Sequence, residues 1–165
     1  MSLFSVIGCT LILAAAPPTQ EVTAAEKKAF LRQLKHLPTD GEFFTEAAVK
    51  KMSSKTRVLF ALTPEDIAKY DIYPFAALSR GLLDNQEQRR YGVQHFSEIK
   101  HEDIKLFWAC VLFEEGAASP EITQYLHAAL ADETLAKKLS EMVGPEFKAF
   151  QQRVTDAAEK QSKAP

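Results

Sequence analysis

From Phe30 onward the apolar positions of this chain recur at helical spacing. Phe30, Leu31, Leu34 and Leu37 share one stripe, and Phe43, Phe44, Ala47 and Ala48 share another. Ile122, Tyr125, Leu126, Ala129 and Leu130 follow the i, i+3, i+4, i+7, i+8 pattern. Leu135, Leu139, Met142 and Val143 repeat it, and so do Phe147, Phe150 and Val154. Stripes of this kind are the buried faces of amphipathic helices. Nothing shows sustained alternation. Arg57 to Leu62 has strand-like composition but no partner stretch, so a helical turn is expected there.

Ile104 to Phe113 departs from the rule, because its only charge is Lys105. A helix apolar on nearly every face belongs in the middle of a domain. It is therefore expected to be the central helix, with Trp108 packed and its indole N–H bonded. Cys110, in the same run, reads as a buried and inert thiol.

Helix starts are marked by capping chemistry. Thr63-Pro64-Glu65, Ser119-Pro120-Glu121 and Gly144-Pro145-Glu146 each join a capping position, a first-turn proline and an acid facing the dipole. Thr23 with Glu26, and Thr39 with Glu42, have capping-box spacing. Gly41, Gly116 and Gly144 fall between segments, where helix ends want glycine. The expectation is a single all-α domain over 23–158, about eight helices joined by short turns, with 159–165 a frayed tail. Either stacked helical pairs or an irregular bundle would fit.

The N-terminus changes where such a domain is expected to work. Residues 3–16, LFSVIGCTLILAAA, carry no charge, and the first charged side chain is Glu21. These 14 residues fall short of the roughly 20 that a spanning helix needs. The run reads as an export signal over 1–16, followed by a linker over 17–22. It lacks the usual leading Lys or Arg, and Pro17 sits badly beside the obvious cut. A lipid anchor on Cys9, after Val6-Ile7-Gly8, and an uncleaved N-terminal helix stay open. Removal of the signal would leave Cys110 as the only cysteine, so no intrachain disulfide is expected.

The stretch Ile72 to Ile99 contains Leu82-Leu83-Asp84, then Arg89, Gly92, Phe96 and Ile99. This resembles the second helix of a HEAT-type repeat. The resemblance implies that Asp84 and Arg89 tie neighbouring turns together, while Gly92 lets helices approach closely.

Candidate chemistry is sparse. A net charge of −2 offers no footprint for nucleic acid or for an anionic membrane. His95, Glu98 and Glu102 would share one face of an unbroken helix and could hold a metal for hydrolysis. The bland reading puts a turn at 99–101 and opens a new helix at His101-Glu102-Asp103. His36 and His127 read as surface histidines. Tyr70, Tyr73 and Phe75, beside Pro74, make the best recognition surface, with Arg80, Arg89 and Arg90 as a small basic patch. The competing reading is an ordinary helix start, with Asp71 as cap and the aromatics turned inward. Glu114-Glu115 opposes the dipole at the end of the central helix, a misfit that a partner, a cation or simple solvent exposure would each account for.

The expectation is thus an exported, periplasmic or secreted, non-catalytic helical protein that binds another protein and needs no cofactor. The first alternative is a binder of a small apolar ligand or lipid in a Phe-lined cavity, for which the chain has 11 phenylalanines. The second is the His95/Glu98/Glu102 hydrolase.

Overall fold

Helix α1 (Ala24–Leu34) begins at the capping box read from the sequence. Thr23 Oγ1 accepts from the Glu26 N–H at 3.2 Å, and Glu26 returns a bond to the Thr23 N–H at 2.8 Å. The computed structural model describes residues 21–41 and 43–163. The signal, the lipid-anchor cysteine Cys9 and most of the linker lie outside these residues. Val22, at the linker's end, already packs against the core.

The helices that follow are α2 (Glu46–Ser53), α3 (Thr56–Phe60), α4 (Pro64–Ile67), α5 (Tyr73–Leu83), α6 (Gln86–Gln94), α7 (Glu102–Glu114), α8 (Pro120–Ala131), α9 (Glu133–Val143) and α10 (Phe147–Ser162). Short 3₁₀ turns precede α7 and α10. Among the described residues the only β pairing is an isolated bridge from Thr39 to Phe44. The domain is all-α. No described helix is long and apolar enough to cross a membrane.

Two expectations change here. Thr39 does not cap a helix. The chain turns back at Gly41, whose φ is +89°, so that Asp40 N–H donates to Phe43 O and Thr45 N–H to Pro38 O. Thr45 is the residue that caps α2, through the Ala48 N–H. Phe43 is therefore thrown to the surface instead of continuing a stripe. At the other end, α10 runs on to Ser162, and Glu159 pairs with Lys163 one turn later at 3.5 Å. The tail is helical as far as Ser162.

From α5 onward the helices layer. α5 lies on α7, α8 lies on α10, and successive helices α5–α6, α7–α8, α8–α9 and α9–α10 pair. One continuous core joins them, and α7 fills its middle with Ile104, Leu106, Trp108, Ala109 and Leu112, all nearly inaccessible. The central-helix expectation holds. Its expected indole bond does not: Trp108 Nε1 is buried without a hydrogen-bond partner. Trp108 stands edge-on to Phe60, with ring centroids 4.8 Å apart.

The close approach implied for Gly92 is present. A Cβ on Gly92 would lie 2.4 Å from Trp108 Cζ3 and 2.6 Å from its Cε3. The tie implied for Asp84 and Arg89 is absent. Asp84 lies nearest Arg80, and Arg89 bonds Glu115.

His101 is the N-cap of α7, its Nδ1 accepting the Asp103 N–H at 3.2 Å. That role requires the neutral ring. Burial holds its pKa below the usual 6.5. Asp103, Glu102 and Glu65 oppose that shift and Lys138 reinforces it.

Two predictions follow from this packing. Gly92→Ala gains up to about 1 kcal/mol of helix propensity. It also forces a methyl into a fully buried indole, which costs about 1–3 kcal/mol. A net loss is expected, seen as a melting temperature lowered by a few degrees. An unchanged or raised melting temperature would contradict it. For His101, the unfolded ring takes up its proton first as pH falls below 6.5, so stability present above 6.5 declines toward the lower folded pKa. His101→Asn keeps a cap acceptor that does not titrate. Urea titrations of the variant should show a flatter stability profile just below pH 6.5 than the parent; superimposable profiles would contradict the assignment.

Candidate functional site

Helices α5 and α7 carry the same surplus stripe. On α5 it is Tyr73, Ala76, Ala77 and Arg80; on α7 it is Phe107, Cys110, Val111 and Glu114. Both run i, i+3, i+4, i+7, so each forms a second helical face beside the one buried in the core. Small alanines on one side leave a hollow that neither helix fills. Met142 and Val143 at the end of α9 close it, Phe43 edges it, and Glu146 and Arg153 add charge. The result is a cleft of about 670 Å³.

Exposed apolar side chains concentrate on its border. The described large hydrophobics that stay exposed are Phe43, Ile72, Tyr73 and Met142. Three of these four edge this cleft.

The charged groups around the cleft resolve the misfit at the end of α7. Glu114 accepts from Arg153 Nη2 on α10. Glu115 accepts from Arg89 Nη1 on α6 at 3.2 Å and lies 3.9 Å from Arg80 Nη2 on α5. Arginines of three helices therefore answer the carboxylates that the dipole disfavours. The Cys110 thiol in the wall is pushed up to about 11, by burial first and by Glu114 second. It stays protonated at neutral pH and is inert, as the sequence suggests.

The six candidate recognition residues do not form one surface. Tyr73 and Arg80 belong to the cleft. Tyr70 and Phe75 line a separate hollow of about 760 Å³ against α1, which Tyr73 also touches. Phe75 is fully buried and packs edge-on against Tyr70, so it supports the fold and offers no exposed anchor. Lys35 sits over the Tyr70 ring at 4.7 Å, and the leucines of that hollow are already core. Arg89 and Arg90 line a third, shallower depression beside Glu115. Asp71 accepts from the Tyr73 N–H at 3.2 Å, but the cap position of α5 is Ile72, whose side chain makes no capping bond.

The metal alternative is not assembled. His95 ends α6, stacks on Tyr91 at 4.2 Å and places Nδ1 2.9 Å from Glu98 Oε1. The 3₁₀ turn and the extended Ile99 then redirect the chain, so Glu102 opens α7 and accepts from the Tyr125 hydroxyl. Among the described residues, no three His, Cys, Asp or Glu side chains gather as a metal site would require. His36 and His127 are exposed.

Sequence reasoning missed Phe43, Phe107, Val111 and Met142 as cleft residues. The available signal was the excess of apolar positions on α7, which exceeds what one buried face needs. No family model, no curated protein and no solved structure matches the chain.

The contrast between border and core is measurable. Met142→Ala and Phe43→Ala should each change stability by less than about 1 kcal/mol in denaturant unfolding. Phe75→Ala should cost about 3–5 kcal/mol. A severe loss from the first two would reassign them to the core.

Proposed function

We propose that this chain acts by binding and not by catalysis, and that the α5–α7–α9 cleft takes a small apolar ligand. The observation that carries this reading is the cleft itself: about 670 Å³, walled by Phe107, Val111 and Met142, in the size range of small-molecule sites. The walls supply aromatic and aliphatic contact, with arginines and glutamates at hand to orient a ligand. Their thiol is protonated and unreactive at neutral pH.

A protein partner is the second reading, favoured by the exposure of Phe43 (56%), Tyr73 (49%) and Met142 (41%). Rings and thioethers at that exposure are the material of interface anchors. Both readings use the same cleft. The layering of α5 to α10 supports a helical-pair array of the HEAT kind as the scaffold. Export to a periplasmic or extracellular setting is proposed on the uncharged run at 1–16 alone.

The test uses the neutral fluorophore N-phenyl-1-naphthylamine on the full chain. One saturable site is expected. Ala76→Trp, which fills the hollow from α5, should weaken binding at least tenfold while the melting temperature shifts by only a few degrees. An Ala76→Trp protein that stays folded and binds the probe as the parent does would place the ligand elsewhere and end this reading.

A further inference from the structure

Of the two arginines in the cleft lining, one is already engaged. Arg153 donates to Glu114. Arg80 does not hydrogen-bond either of the carboxylates nearest it: Asp84 lies 3.8 Å from its Nε and Glu115 3.9 Å from its Nη2, while Glu115 already accepts from Arg89 at 3.2 Å. Those distances exceed hydrogen bonding. Its side chain is about half exposed (49%), at the polar end of the α5 stripe that begins with Tyr73. Arg80 thus holds two long ion pairs, with Asp84 and Glu115, and hydrogen-bonds neither, so its planar fork still has directed bonds to give. The remaining charged liner, Glu146, is the N-cap residue of α10, where the helix start already favours a negative group.

We propose that the cleft takes a single-chain amphiphile of the fatty-acid class, its carboxylate held by the Arg80 guanidinium and its alkyl chain lying along Phe107, Val111 and Met142. The geometry of the pair is favourable, because a guanidinium fork and a carboxylate match two bonds to two. An alkyl chain gains affinity with each methylene buried against the apolar walls. An anionic head and a single apolar tail therefore match, in one cleft, a guanidinium that hydrogen-bonds neither neighbouring carboxylate and a wall of apolar side chains. The inference rests on the reading of this cleft as an apolar-ligand site, and deepens it by assigning the head group.

The experiment is calorimetric titration of the full chain with dodecanoate, dodecanol and dodecyltrimethylammonium below their micellar concentrations, in parent and Arg80→Gln proteins. Dodecanoate is expected to bind the parent at least tenfold more tightly than dodecanol. Arg80→Gln should erase that preference while leaving dodecanol within twofold and the melting temperature unchanged. Equal binding of dodecanoate and dodecanol in both proteins would overturn the Arg80 assignment and leave the apolar cleft standing. Tightest binding of the cationic probe would place the head at Glu146 and also overturn it. Absence of binding by all three would remove the apolar-ligand reading itself, and this inference with it.

Discussion

The contact between Trp108 and Gly92 sets the geometry on which the rest depends. The fully buried Trp108 indole lies so close to α6 that a Cβ there would collide with it, and α6 carries Gly92 at that position. Phe60 then closes on the indole edge. With Trp108 held, α7 cannot rotate about its axis. Ile104, Trp108 and Leu112 recur every four residues, so they bury together, and Phe107, Val111 and Glu114 are turned onto the adjoining face. That rotation is why a second apolar stripe of α7 meets one from α5 and leaves a cleft between them. The unbonded indole N–H is part of the same arrangement, a polar group left unpaired in the core.

Charge closes the same end of the structure. Glu114 and Glu115 end α7 against its dipole, yet Arg153, Arg89 and Arg80 converge on them from α10, α6 and α5. Exposed pairs of this kind contribute little stability, generally under about 1 kcal/mol each. Their effect here is positional, since they hold arginines of three helices around the end of the cleft. Glu115 serves two of them unequally, bonding Arg89 and leaving Arg80 at a distance.

Elements whose stop and start chemistry is local were legible in the sequence. Thr23, Thr63 and Ser119 cap as read, because each cap is settled within four residues. The buried central helix was legible from its lack of charge, and Arg57 to Phe60 as helix from the lack of any strand partner. Thr39 misled because Gly41 permits a tight turn that a capping pattern does not register, while Thr45 offers the same chemistry six residues later. The site was far less legible. Tyr73 and Arg80 reach the cleft, whereas Phe75 lies on the buried face of the same helix and Arg89 belongs to α6. Phe43 and Met142 reach the cleft from segments distant in the chain, and no local spacing encodes that meeting. His95, Glu98 and Glu102 would have shared a face only on a continuous helix. The break at 96–101 carries Glu102 away, while His95 and Glu98 stay 2.9 Å apart.

The proposed ligand site joins the surplus faces of α5 and α7. Methyl-resolved NMR of the full chain, titrated with dodecanol, distinguishes it from the hollow against α1. Shifts are expected on the methyl groups of Val111, Met142 and Val143, with Leu31, Leu34 and Leu37 unmoved. Shifts centred on those leucines of the α1 hollow, or spread evenly over the surface, would contradict it.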